Sequence, residues 1–303
     1  MFNWIKEKLV SKTFFLEFEI QMHERMKYEM RYNHLLDCAL HCNSCGVSND
    51  AICDKDIIVS LTSYGKRIND VAITIESIMQ GSVLPNRIIL WLEDDLIGKE
   101  IPSLLKKQQE RGLDIQYCRD IRSYKKIIPT LEKYPEACII TIDDDVLYDY
   151  DLVERLVNSY NENPNCVHAC RARKIVFSSD KLTSYLKWPL ICNGEPESCK
   201  ILQTGVGGVL YPPHSLHNDV IDEKTFQELS PYGDDIWLYV MAIRNGYKIH
   251  KVETRTQYGE DFLENASVQD MALCNQNCDE KNCRNDKQIK ALFNRYDIYR
   301  LIN

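Results

Sequence analysis

Cys138-Ile-Ile-Thr-Ile-Asp-Asp-Asp145 sets a short apolar, β-branched run directly against three consecutive carboxylates. The run Cys138 to Ile142 has the pattern of a strand buried on both faces of a parallel sheet. Ionised carboxylates at the edge of a core need a cation or an array of donors. In open α/β sheets ligands collect beyond the carboxyl ends of the strands, where Asp143, Asp144 and Asp145 would stand. An isolated Asp triplet is equally explained by a solvated turn whose Asp caps the next helix, so the neighbouring pattern must decide.

That pattern alternates. Ile57 to Leu61 is an apolar strand ending in Thr62-Ser63-Tyr64-Gly65-Lys66-Arg67, and Val71, Ile75, Ile78 and Met79 mark a helix face closed by Gly81 and Pro85. Arg87 to Leu92 is a second strand ending in Glu93-Asp94-Asp95. A helix near Ile101 to Arg111 and a strand from Asp114 to Cys118 follow, then a helix from Tyr124 to Tyr134 that leads into the acidic strand. Strand and helix alternating at these spacings imply right-handed crossovers and a parallel sheet. The polar strand ends, Thr62 to Arg67, Asp94 with Asp95, and Asp143 to Asp145, should therefore converge on one crevice.

Beyond the triplet, Leu152, Leu156 and Tyr160 give a helix, and Cys166 to Phe177 a strand carrying Arg171 and Arg173. The irregular stretch from Ser178 to Lys200, with Trp188, Pro189, Asn193 and Gly194, suits either the wall of a sugar site or a surface insertion. Gly205, Gly207 and Gly208 precede a strand at Val209 to Tyr211 and lack the context of a phosphate-binding loop. Gly233-Asp234-Asp235 opens a helix on which Ile236, Val240 and Ile243 share a face, and Asp234 is the expected cap. Tyr247 to Val252 returns as a strand carrying His250, more readily a satisfied core histidine than a metal ligand. Ile289, Leu292 and Phe293 mark a closing helix.

Six segments, taken in order, resemble the GT-A glycosyltransferases, in particular bacterial enzymes related to the large inverting family 2 that build capsule or lipopolysaccharide chains. They are Ile-Val-Ser-Leu-Thr-Ser-Tyr (58–64), Ile-Ile-Leu-Trp-Leu-Glu-Asp-Asp (88–95), Tyr-Lys-Lys-Ile-Ile-Pro-Thr-Leu (124–131), Asp-Asp-Asp (143–145), Gly-Val-Gly-Gly-Val-Leu-Tyr (205–211) and Gly-Asp-Asp-Ile-Trp-Leu (233–238). The resemblance implies an α/β fold of GT-A (Rossmann-like) type, with a mostly parallel sheet flanked by helices and an N-terminal helical extension. It divides the chain into 1–55, an N-terminal helix and Cys-containing linker; 56–255, the catalytic domain; and 256–303, a C-terminal helical tail. It implies a nucleoside-diphosphate sugar donor, UDP-linked, a saccharide or lipid-linked saccharide acceptor, and Mn2+ or Mg2+ at Asp143 and Asp145.

A diphosphate leaving group gains negative charge as the glycosidic bond breaks, and a divalent cation held by one or two carboxylates and phosphate oxygens offsets it. By the same resemblance Thr62, Ser63, Tyr64, Asp94, Asp95 and Asp144 would surround base and ribose. Arg67 and Lys125, or its neighbour Lys126, would meet phosphate, and Gly205, Gly207 and Gly208 would let backbone approach the sugar. Asp235 would be the general base and Asp234 its helix-capping neighbour. The helix start should keep Asp235 ionised and weakly basic. A sugar-phosphate nucleotidyltransferase would share the metal and sheet but needs a Gly-rich basic loop after the first strand. A glycoside hydrolase needs two opposed carboxyls and no nucleotide. A non-catalytic sugar-binding or assembly subunit would use the N-terminal helix instead.

The net charge of -8 argues against a bulk nucleic-acid partner, and no apolar run is long enough to span a bilayer. A cytoplasmic protein is expected, with residues 1 to about 37 forming one helix that docks, pairs with a second subunit, or touches the inner membrane face through Phe2 and Trp4. The 13 cysteines, an odd number, suit free thiols in a reducing compartment. Cys38, Cys42 and Cys45, with Cys274, Cys278 and Cys283, could pool into a zinc site only if the two clusters meet.

Overall fold

The computed structural model describes residues 2–179, 181–264 and 283–302, with side chains from Phe18 onward. The chain opens on a long helix, α1 (Phe2–His41), and then alternates: β1 (Ile57–Thr62), α2 (Val71–Met79), β2 (Arg87–Glu93), α3 (Ser103–Glu110), β3 (Leu113–Cys118), α4 (Ile128–Lys133) and β4 (Cys138–Thr141). There follow β5 (Val146–Tyr148), α5 (Leu152–Glu162), β6 (Cys166–Ala169), β7 (Ala172–Lys174), β8 (Phe177–Ser178), β9 (Lys181–Leu182), β10 (Ile201–Gln203), β11 (Val209–Tyr211), α6 (Glu223–Leu229), α7 (Asp234–Arg244), β12 (Lys248–Lys251) and β13 (Phe262–Glu264). Helices Arg284–Arg295 and Ile298–Ile302 close the chain.

Seven strands form the central sheet in the order β12-β6-β11-β4-β1-β2-β3. β1, β2, β3 and β4 pair in parallel, as do β6 and β12, while β11 runs antiparallel between β4 and β6. The protein is thus α/β with a mostly parallel sheet flanked by helices and an N-terminal helix. Both faces of the sheet are buried, as the continuous apolar runs require. Ile57, Val59 and Leu61 pack with Ile88, Leu90 and Ile140 against α2 and α5, whereas Ile58 joins Ile89 and Trp91 on the other face. Strands β6 and β11 meet α7 and the closing helices around Trp237 and Phe293. β4 and β2 both flank β1, so the strand order reverses at β1, and the crevice beyond such a reversal is where open α/β sheets take ligands.

Four expectations change in detail. Residues 122–126 form a 3-10 turn before α4 because Pro129 begins a new helix at its first turn. The stretch 166–177 divides into β6 of the main sheet and β7, which pairs with β10 instead. Phe262–Glu264, in the stretch expected as a helical tail, is a strand paired with β5. α1 runs on to His41, and it docks through Tyr28, Tyr32, Leu35, Leu36 and Ala39 against Ile73 and Leu147, while Phe18, Met22, Met26 and Met30 are exposed.

No helix among the described residues is long and apolar enough to cross a membrane. Cys38, Cys42, Cys45, Cys53, Cys118, Cys138, Cys166, Cys170, Cys192 and Cys199 are free thiols; Cys283 is buried against the closing helices, and Cys274 and Cys278 lie outside the described residues. Trp188 is a core residue whose indole donates to the Thr183 carbonyl, so the surface wall expected of it is corrected.

Candidate active site

A cavity of about 1980 Å3 lies over the carboxyl ends of β1, β2 and β4 and the start of α7. β4 delivers the acidic triplet there, and the three carboxylates take different surroundings. Asp144 is buried: Ser63 Oγ donates to its Oδ2 at 2.6 Å, and Arg67 Nη1 to its Oδ1 at 2.9 Å. Its carboxyl is nevertheless pushed up by burial, against the pull of Arg67. Asp144 therefore anchors the loop after β1 to the loop after β4. Asp145 Oδ2 stands 3.2 Å from Arg67 Nη2. Burial, then the neighbouring Asp143 charge, push its carboxyl up to about 6. Asp143 accepts from Lys126 Nζ at 3.0 Å, and its N–H donates to the Tyr148 hydroxyl.

Lys126 is the link between the triplet and α7, because the same ammonium lies 2.9 Å from Asp234 Oδ2. The cap of α7 is Gly233, and Asp234 makes no capping bond. Its carboxylate is bound by Lys126 and by the Ser123 hydroxyl at 2.9 Å, which corrects the capping role expected for it. Asp235 accepts the Gly205 N–H on Oδ2 at 2.8 Å. Burial and the adjacent Asp234 push it up to about 7, overriding the helix start, Lys126 and the Gly205 N–H. The expectation of a weakly basic, fully ionised carboxylate is therefore reversed.

The remaining residues expected at the site divide. Thr62, Tyr64, Arg67 and Lys125 line the cavity. Thr62 Oγ1 donates to the Trp91 carbonyl, and Tyr64 lies over Arg67. Lys125 is buried and engaged by Glu93 Oε1 at 2.9 Å and Asp120 Oδ1 at 2.7 Å, so Lys126 is the lysine among the reactive carboxylates. Asp94 and Asp95 are exposed outside the lining; β2 runs one residue past the expected end at Leu92, the two aspartates fall in the 3-10 turn that follows, and Glu93 takes the place expected of them. Gly207 and Gly208 are also outside it. Their φ of 98° and 95° and the closeness of Leu152 to Gly208 explain them by turn geometry and packing. The close approach belongs to Gly205, where a Cβ would stand 2.8 Å from Asp235 Oδ1. His250 packs its ring against His168 in the sheet, away from the cavity.

Sequence reasoning gave no site role to Glu93, Ser123, Arg171, Arg173 or the wall formed by α1. The alternation of β2 and the two-residue spacing of Arg171 and Arg173 carried a signal for three of them. α1 lines the cavity through Tyr28 and Tyr32, whose rings stack at 5.9 Å, and no local pattern tells where a helix will dock.

A hard divalent cation fits the residues present. No group of three or more His, Cys, Asp or Glu among the described residues is arranged to hold a metal; Asp143 and Asp145, both lining the cavity, would supply two oxygen ligands. Magnesium-like ions are often held this way, by one or two carboxylates with phosphate and water. The Asp145 carboxyl is raised by burial first and by the Asp143 charge second, with Arg67 opposing both.

The sequence matches no protein-family model, and a search of the curated proteins finds no match. Among solved structures, the chain is similar to a mannosyltransferase from Pyrobaculum calidifontis in complex with GDP-Man and Mn2+, at 11% identity and a TM-score of 0.42. The match covers 76% of this chain and 62% of that one, so this chain spans less than two thirds of that protein. It is also similar to glucosyl-3-phosphoglycerate synthase from Mycobacterium tuberculosis with Mn2+, UDP and phosphoglyceric acid, at 12% identity, a TM-score of 0.30 and coverage of 38% and 43%. A third likeness is to CMP:2-keto-3-deoxy-manno-octonic acid synthetase complexed with CTP, at 13% identity, a TM-score of 0.40 and coverage of 71% and 95%.

Proposed function

We propose that this chain is a metal-dependent glycosyltransferase that moves a sugar from a nucleoside-diphosphate donor to a saccharide acceptor, with inversion, in the synthesis of a bacterial surface polysaccharide. One observation carries the catalytic part: a single cavity holds Asp143, Asp145 and a half-buried Asp235 raised to about 7, and Lys126 bridges Asp143 to Asp234, the neighbour of Asp235. The inverting course and the polysaccharide setting rest on the ordered resemblance of the six sequence segments.

Asp143 and Asp145 would hold Mn2+ or Mg2+, which offsets charge on the departing diphosphate. Arg67 fixes Asp144 and Asp145 and so holds the loop in place. Asp235 takes the proton from the acceptor hydroxyl. The acceptor oxygen forms its bond to the anomeric carbon as the bond from that carbon to phosphate breaks, and the electron pair leaves with the nucleoside diphosphate. A base with a pKa near the working pH combines a useful ionised fraction with proton affinity. Lys126, held between Asp143 and Asp234, keeps the donor-side and acceptor-side carboxylates in fixed relation.

A thermal-shift panel tests the reading, because a ligand that binds only the native state raises its stability. Nucleoside diphosphates and their sugars should raise Tm with Mn2+ and much less without it. Absence of a Mn2+-dependent shift across the panel would remove the proposal.

A further inference from the structure

Arg171 and Arg173, on the cavity wall, have no role in the donor chemistry above. Arg171 immediately precedes β7 and Arg173 lies within it, and both line the cavity. Arg171 Nη1 donates to Thr204 Oγ1 at 3.3 Å, and its one ion-pair partner, the exposed Glu260, lies 3.9 Å from Nε. Arg173 donates to the Trp188 carbonyl and lies over the Tyr185 ring at 5.2 Å, with no carboxylate within ion-pair distance among the described residues. The Nε of each is buried without a hydrogen-bond partner.

The electrostatics differ from those of the protein's other buried arginines. Burial and then the Arg173 charge push the Arg171 guanidinium down, with Tyr185, Glu260 and the exposed Glu264 opposing. Arg67 and Arg155, though buried too, are raised by Asp144 and Asp151. Two like charges drawn from water without a close counter-ion are unfavourable, and an anion is the compensation this wall lacks among the described residues. Position indicates which substrate brings it. The Arg171 carbonyl accepts the Thr204 N–H, and the next residue, Gly205, donates to Asp235. The pair is thus tied to the segment after β10 whose Gly205 N–H holds the base on α7, whereas Arg67 serves the carboxylates of the metal motif.

We propose that Arg171 and Arg173 bind an anionic group, a carboxylate or a phosphate, on the acceptor saccharide; this rests on the glycosyltransferase reading. Calorimetric titration of the full chain with methyl β-glucuronide, glucose 6-phosphate and methyl β-glucoside tests it. Titrations run with and without Mn2+ and the nucleoside diphosphate selected by the thermal-shift panel. At least one anionic probe should bind roughly 10- to 100-fold more tightly than the glucoside, as expected for charge-assisted hydrogen bonds. The tighter of the two distinguishes carboxylate from phosphate. Arg171→Gln and Arg173→Gln should each reduce the preference to near unity, with nucleoside-diphosphate affinity and Tm retained, and Arg173→Lys should keep part of it. Equal affinity for the three probes, or preference retained in both Gln variants, overturns the assignment. So does loss of nucleoside-diphosphate affinity in Arg171→Gln, which would move the pair to the donor side. A wild-type chain that binds no nucleoside diphosphate but still prefers the anionic probes would sink the transferase reading alone.

Discussion

At Asp235 four influences compete. The α7 start, Lys126 and the Gly205 N–H favour the carboxylate, and burial with Asp234 outweighs them, raising it to about 7. The transfer rate, measured with saturating Mn2+, should therefore rise with pH through about 7 and level off above it. Asp235→Asn should lower kcat by about 10²- to 10⁴-fold and flatten that limb; a variant that keeps the limb would show that another group is the base. Asp234 behaves differently because its carboxylate holds Ser123 and Lys126. Asp234→Asn should lower stability by about 1–3 kcal/mol in urea unfolding, the range for hydrogen bonds to charged groups. An unchanged unfolding midpoint would show the Lys126 contact to be energetically idle.

At the level of elements, α2 shows what sequence patterns leave out. All nine of its residues are buried, including Glu76, because Arg111 just past α3 reaches back with Nη1 and Nη2 2.8 and 3.0 Å from its carboxylate, and Gln108 adds a third donor. Removing one partner of a buried pair strands the other, so Glu76→Ala should destabilise by about 3–5 kcal/mol in chemical denaturation. A loss under 1 kcal/mol would mean that water reaches Arg111 in the variant. The alternation that announced β1, β2, β3 and β4 is a local property of the chain and was legible. The long-range partner of Glu76, the docking of α1, and the division of 166–177 between two sheets depend on contacts between distant residues. The end of β2 likewise exchanged Asp94 and Asp95 for Glu93, since the strand runs through Glu93 and the 3-10 turn Asp94–Leu96 leaves the two aspartates exposed.

For the molecule as a whole, the carboxylates gathered at the sheet's open edge put functional charge in competition with stability. Asp145, raised to about 6 against 3.8 in its ordinary state, is protonated in the folded chain and ionised in the unfolded chain between those values. Folding then takes up a proton, so its contribution to stability is present below about 4 and is lost as pH rises through about 6. His168 acts in the opposite sense: burial pushes it down to about 3, so its contribution is regained as pH rises towards 6.5. The absolute trend of Tm is a sum of such effects, and a comparison of wild type with Asp145→Asn isolates one of them. In metal-free buffer the two should be nearly equal only below about pH 4; at pH 5 the variant should already be the more stable, because Asp145 is then ionised in the unfolded chain and mostly neutral in the folded one. By pH 7.5 the variant's margin should grow to on the order of 1–3 kcal/mol. Mn2+ with a bound nucleoside diphosphate should reverse that order at pH 7.5, because the ionised carboxylate then gains a cation that Asn holds more weakly. The stabilisation of wild type by Mn2+ should also grow between pH 5 and 7.5, as less proton is displaced from Asp145. Scanning calorimetry of both proteins at the two pH values, with and without Mn2+ and nucleotide, reads all of these differences. A Mn2+ increment of equal size in wild type and variant would exclude Asp145 as a ligand, and a metal-free difference independent of pH would show that its charge is already compensated within the protein.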